Sequence, residues 1–135
     1  MRFPGIIIGD SLTVESVVSE RDTTDDYGAS HVENLLSTPA LIAKAIDVSV
    51  KLVDDKLPAG FITVGKSVEL VHEHPTVLGA VISVKAEIKS FDGYHIKLGI
   101  TACDTSGIIG RGSHVRSIVN EKWMKLKVQK RIAGI

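Results

Sequence analysis

Two histidines and a carboxylate crowd together in Val68-Glu69-Leu70-Val71-His72-Glu73-His74-Pro75. Such a cluster suits proton transfer, or metal ligation where a third ligand stands nearby. His72 and His74 lie on one stretch of chain without an obvious third ligand, so no metal site is expected. A hydroxyl, Thr38, opens an apolar stretch behind Ser37 and ahead of Pro39, where it can cap a helix or hold a reacting group. His114 and Arg116, two residues apart, share one face of a strand, and both sheet-surface and ligand-contact roles are open to them. Cys103 stands beside Asp104 with nothing near in sequence to lower its pKa, and reads as an inert thiol. Gly110-Arg111-Gly112 is too short for a phosphate loop and reads as a bulge or a close approach of strands.

The elements that must position these groups follow from periodicity. Ala80, Ile82, Val84, Ala86 and Ile88 alternate with Val81, Ser83, Lys85, Glu87 and Lys89, and Tyr94, Ile96, Leu98, Ile100 and Ala102 alternate with polar partners. A period of two predicts antiparallel strands with one covered face. Asp92-Gly93 between them is a hairpin signal, and Asp104-Thr105-Ser106-Gly107 a second turn leading into a strand near 108–119. Further strands are expected from about 62 to 72 and near 11–18. Ser37-Thr38-Pro39 opens a helix, apolar almost all round from Ala40 to Leu52 and hence buried, which Pro58-Ala59-Gly60 ends. The reading is α+β: strand, long loop, one buried helix, then four antiparallel strands in a sheet wrapped around that helix. A lone curved sheet leaves an open edge and an open face, so a homodimer is expected.

The 135 residues are expected to form one domain, residues 1–135, with 44% hydrophobic and 24% charged residues. Sixteen bases balance sixteen acids, which argues against a nucleic-acid partner, and 4% aromatics argue against a stacking platform. No apolar run reaches the roughly 20 residues of a membrane span. The start lacks a signal peptide, and a single cysteine excludes an internal disulfide; both suit the cytoplasm. Charge is nonetheless uneven. Asp10, Glu15, Glu20, Asp22, Asp25, Asp26 and Glu33 face one base, Arg21, whereas Lys122, Lys125, Lys127, Lys130 and Arg131 close the chain against Glu121. That basic tail reads as a solvated face or as an attractor of phosphates.

Ile6-Ile7-Ile8-Gly9-Asp10-Ser11-Leu12-Thr13 resembles the nucleophile block of GDSL esterases, and Asp92-Gly93-Tyr94-His95 supplies a D-x-x-H. In that family the serine leaves a strand and enters a helix; here Leu12, Val14 and Ser16 continue a strand and Asp92-Gly93 sits in a turn. The match reads as coincidence. A longer one does not. Leu36-Ser37-Thr38-Pro39-Ala40-Leu41-Ile42, Val64-Gly65 followed by His72, Gly79 at a strand start, and Ile109-Gly110-Arg111-Gly112-Ser113-His114-Val115-Arg116 together are similar to the fluoroacetyl-CoA thioesterase-like family, in order and spacing over some two-thirds of the chain.

The resemblance implies the hotdog fold, a curved antiparallel sheet around one long central helix, in a dimer that hydrolyses an acyl-CoA thioester at the subunit interface without a cofactor. It places the family's threonine at Thr38, its histidine at His72, the glycine near the acyl group at Gly65 and a late-strand arginine at Arg116. The family's glutamate falls on Ile46. The nearest carboxylate, Asp47, is one residue later, turned by about 100° on a helix; a positioned base is worth roughly 10²–10⁴ in rate. Asp47, Glu33 or Glu73 is a possible replacement, and His72 acting alone is the other. The segment Ser19–Asn34 is a candidate cover for the site helix, and Lys122 and Lys125 are candidates for the CoA phosphates. The expectation is an acyl-CoA thioesterase of small or medium acyl groups, catalytic residues Thr38, His72 and Asp47, substrate contacts Gly65 and Arg116, acting as a homodimer or higher homo-oligomer with no membrane partner. Ile46 favours a rival, an acyl-CoA-binding protein without catalysis. A hydratase would need an Asp/His pair on one helix edge, and the helix carries no histidine.

Overall fold

The computed structural model describes residues 2–24 and 34–134. Strand β1 is Ser11–Val17, helix α1 Thr38–Val53, and strands β2 to β5 are Phe61–His72, Val81–Phe91, His95–Asp104 and Gly107–Asn120. A second helix, α2, runs from Glu121 to Ala133. Five strands form one antiparallel sheet in the order β1-β3-β4-β5-β2.

The period-two pattern decides the faces. Ile82, Val84, Ala86 and Ile88 on β3 and Ile96, Leu98, Ile100 and Ala102 on β4 are buried against Leu41, Ala45, Val48 and Leu52 of α1. Tyr94, expected in the covered set, is 61% exposed: β4 begins one residue later, and only the Tyr94 carbonyl joins the sheet, accepting from the Ile118 N–H at 2.8 Å. The Asp92-Gly93 turn forms as expected, with Gly93 at φ 104°, a conformation that favours glycine. The Tyr94 and His95 N–H groups and the His95 ring hold the Asp92 carboxyl down to about 2. Asp92 and His95 thus pair with each other within one turn, and Ser11 opens strand β1 rather than a helix, as the reading of the esterase-like match as coincidence expects.

Two features stand outside the expected elements. The opening residues enter the core: Phe3 and Ile6 are buried, and the Phe3 ring meets Phe61 edge-on at 5.2 Å between centroids. The basic tail is helical, capped by the Asn120 side chain accepting from the Trp123 N–H at 3.1 Å, yet none of its residues is buried.

The outer strands differ in cover. Strand β2 has a free outer edge, and Thr63 is its one buried residue; Val64, Val68 and Leu70 are half-buried and Val71 is 63% exposed. No helix among the described residues is long and apolar enough to cross a membrane.

Candidate functional site

Ser37 determines what Thr38 is free to do. Its side chain accepts from the Ala40 N–H at 3.1 Å and its carbonyl from the Leu41 N–H, so Ser37 is the cap. The capping role open to Thr38 from sequence is therefore taken, and its hydroxyl turns instead to His72, with Oγ1 3.0 Å from Nδ1. The two residues are 34 positions apart in the chain. What joins them is a short junction: the Leu36 N–H donates to the Thr76 carbonyl at 2.9 Å and the Leu78 N–H to the Asn34 carbonyl at 2.8 Å, just before the helix and just after the strand. The Glu73 and His74 N–H groups both donate to the Ile109 carbonyl, which fixes the end of β2 against β5.

Gly110 lies opposite His72 on β5. A Cβ there would come within 3.1 Å of both the Leu41 side chain and the Val71 carbonyl, so glycine lets the start of α1 close down on β5. Burial pushes the His72 imidazole below its ordinary value, against an opposing pull from the His74 backbone. The ring is neutral at pH 7 and able to take a proton. Its Nε2 is sealed from solvent and has no hydrogen-bond partner among the described residues. At the helix start Pro39 has no N–H and those of Ala40 and Leu41 are engaged, whereas the Thr38 N–H has no partner among the described residues.

The carboxylates are elsewhere. Asp47 is exposed and lies nine residues beyond Thr38, roughly 13 Å along the helix axis. It lines a shallow groove with Val14, Ser16, Lys44 and Lys51, toward β1 and away from His72. Glu73 is held by Arg111, with Oε1 2.7 Å from Nε, an ion pair that lowers its pKa. Ile46 is half-buried. Glu33 and the middle of the Ser19–Asn34 segment lie outside the described residues. Among the described residues no group of three metal-ligating side chains converges.

Gly65 and Arg116 are register partners, on the same face of the sheet as His72 and Gly110 but toward the other end of β2. Here a network forms that sequence reasoning missed. Arg116 is 6% exposed; its Nε donates to Thr63 Oγ1 at 2.7 Å, Nη2 to the Thr63 carbonyl at 3.0 Å, and Nη1 to His114 Nε2 at 3.1 Å. Thr63 Oγ1 donates in turn to Asp54 Oδ1 at 2.5 Å, and His114 Nδ1 donates to the Ser67 carbonyl at 2.8 Å. These bonds define a neutral His114, whose pKa burial lowers. Burial also pushes Arg116 down, and the Asp54 charge opposes that. A Cβ on Gly65 would sit 3.5 Å from Arg116 Nη1, in ordinary contact, so glycine leaves open space there rather than relieving a clash. The only local signal for this cluster was the His114/Arg116 spacing; Thr63 and Asp54 join it through the sheet.

A curved antiparallel sheet in this strand order, packed on one long helix, defines a hotdog-fold protein. The chain belongs to the fluoroacetyl-CoA-specific thioesterase (FlK) family, whose model matches residues 18–122. Among solved structures it is similar to a hot-dog-like protein from Thermanaerovibrio acidaminovorans, at 26% identity over 94% of this chain and 93% of that one, with a TM-score of 0.89. It is similar also to the fluoroacetyl-CoA thioesterase FlK, at 22% identity over 93% and 96% of the two chains, TM-score 0.83. A Thermus thermophilus thioesterase superfamily member shares 19% identity over 96% and 98%, TM-score 0.86. Among curated proteins, none matches the chain. The fold expected from sequence and resemblance is the one observed.

Proposed function

We propose that the protein is an acyl-CoA thioesterase in which His72 and Thr38 do the chemistry without a glutamate. The observation that carries this is the 3.0 Å contact between Thr38 Oγ1 and His72 Nδ1, beside an Nε2 that is buried and without a partner among the described residues. A neutral imidazole in this position accepts a proton from the water that attacks the thioester carbon and returns it to the CoA thiolate as the C–S bond breaks, releasing the free acid, while Thr38 holds that water or the imidazole. The Thr38 N–H, in the first turn of α1, is the backbone donor we assign to the developing oxyanion. Membership of a thioesterase family supports the reaction class. The half-buried aliphatic Ile46 and the separation of Asp47 support a slow enzyme, with turnover reduced by roughly 10²–10⁴ relative to one with a positioned carboxylate.

The exposed outer edge and thinly covered face of β2 support the homodimer, with the site at its interface. Ile46 also supports a second reading, an acyl-CoA-binding protein that does no chemistry. Free-thiol release from short and medium acyl-CoAs separates the two. Turnover in the wild type that is lost in His72→Ala and Thr38→Ala, with the oligomer intact, is expected. Acyl-CoA affinity without turnover on any thioester replaces the enzyme with the binder.

A further inference from the structure

Of the two lysines on α1, Lys44 is the one bound into other elements. Its Nζ lies 3.3 Å from Ser16 Oγ on β1 and 3.3 Å from Asp22 Oδ2. Asp22 ends the short helical turn Glu20–Asp22, which contributes no buried residue. Packing therefore does not hold that turn against the body of the protein; bonds do. The Lys44 and Asp22 side chains are only 21% and 19% exposed, so water screens their pair less than it screens a surface ion pair. Burial alone raises the Asp22 carboxyl. The Ser19 N–H, the Ser19 hydroxyl and the Lys44 ammonium outweigh it and leave the carboxyl below its ordinary value, so Asp22 is ionised at neutral pH.

What this pair anchors is the approach to the reacting groups. The Asp22 carbonyl accepts from the Ser37 N–H at 2.7 Å, and Ser37 is the cap that directly precedes Thr38. Ser37 is extended, with ψ 152°, so its N–H lies outside the helix ladder and Asp22 is what fixes it. The next residue, Thr23, is 1% exposed and bridges Leu36, whose N–H donates to the Thr76 carbonyl just beyond His72. A shift of Asp22 thus reaches both sides of the 3.0 Å Thr38–His72 contact. Lys44 itself stands about 9 Å along the helix axis from Thr38, on the side of α1 toward β1. It acts on the pair through the backbone, not by touching it.

We infer that Lys44 is a positioning residue for the reacting pair: by anchoring Asp22 to α1 and β1 it fixes Ser37, and through Ser37 the distance from Thr38 Oγ1 to His72 Nδ1. The consequence for rate rests on the thioesterase reading above; the geometry does not. Misplacing a reacting group by about 1 Å costs on the order of 10²-fold. Lys44→Met keeps the stem and removes the ammonium, and is expected to lower kcat by about ten- to a hundredfold with KM nearly unchanged. Lys44→Arg restores the ion pair and most of the rate. Lys51→Met, at the lysine of α1 that has no carboxylate partner among the described residues, is the control and leaves kcat unchanged.

A second readout needs no turnover: the isotope-labelled His72 ring is titrated by NMR. Its half-point lies below the ordinary 6.5 because the ring is buried. Loosening the pair lets water reach the ring, so Lys44→Met and Asp22→Ala are both expected to move the half-point up. The charges they remove are opposite in sign, so a direct field effect would move it up in Lys44→Met and down in Asp22→Ala. Upward shifts in both support positioning; opposite shifts, or none, overturn it. So does a lower melting temperature with kcat and the half-point unchanged, which makes the pair a structural tie only. Should Lys44→Met fail to fold, the direction of the shift in Asp22→Ala still decides. A protein that hydrolyses no thioester but shows both upward shifts loses the proposed activity and keeps the positioning role. One whose turnover survives Lys44→Met intact loses the role and keeps the activity.

Discussion

Replacing Arg116 with methionine tests whether the guanidinium serves the fold or the ligand. The substitution keeps most of the length of the side chain and removes three hydrogen bonds, two to Thr63 and one to His114. Hydrogen bonds to a charged group contribute about 1.5–3 kcal/mol each, but these share one donor and do not add. Removing one partner from a buried charged network costs about 3–5 kcal/mol. Two effects reduce that figure here. Arg116 is already disfavoured in its charged form by burial, and Asp54 keeps the Thr63 hydroxyl. The net expectation is a loss of about 2–4 kcal/mol. At roughly 2.1 cal/mol/K of unfolding entropy per residue, that lowers Tm by about 7–14 °C. The melt is followed by circular dichroism, since Trp123 on the exposed α2 reports poorly on the sheet. A fall of less than about 2 °C, together with a large rise in KM for acyl-CoA, refutes the reasoning and assigns the guanidinium to the substrate.

The remaining predictions are briefer. His72 and His114 are both pushed below the ordinary 6.5 by burial, so the unfolded chain binds more protons as pH falls. Their stability contribution is full above about pH 6.5 and is lost as pH drops through the folded values; urea midpoints at about pH 7.5 and about pH 5 check it. The same His72 shift predicts that kcat/KM declines only below the ordinary histidine range, and a half-point above it removes His72 as the base. Ile46→Glu is expected to raise kcat by roughly 10²-fold or more while costing about 1 kcal/mol of half-buried apolar surface; an unchanged kcat by thiol release sinks the idea that a carboxylate is missing there. Ser37→Ala removes the cap bond to Ala40 and is expected to cost about 1 kcal/mol in thermal unfolding.

Much of the fold was legible because the sheet residues obey a strict alternation. Strands β1 to β5 and helix α1 fall within a few residues of their expected bounds, since β3 and β4 each have one face on the core. Helix α2 was not anticipated because its apolar residues run right round the helix, giving no periodic stripe, although Asn120, Glu121 and the late Lys130 and Arg131 are terminus signals. Tyr94 misled because a turn residue continues the alternation past the end of its strand. At the site, the resemblance supplied Thr38 and His72, and composition alone joins neither to the other across 34 residues. The cap ambiguity at Ser37-Thr38 is settled only by which hydroxyl reaches the Ala40 N–H. The Asp54–Thr63–Arg116–His114 cluster draws on three elements, and a bulge between Gly65 and Ser67 shifts the register that would have aligned it.

The junction beside Thr38 has a consequence for how such a protein diversifies. Thr24 donates its N–H to the Leu35 carbonyl, Thr23 bridges Leu36, and Leu36 and Asn34 are themselves bonded to Thr76 and Leu78. The stretch between Thr24 and Asn34 therefore begins and ends on one knot, and that knot also carries the threonine and the histidine. Lengthening such a closed stretch is inexpensive, about 0.6 kcal/mol for each doubling. Changes of length between Thr24 and Asn34 can therefore be made without altering the spacing of Thr38 and His72.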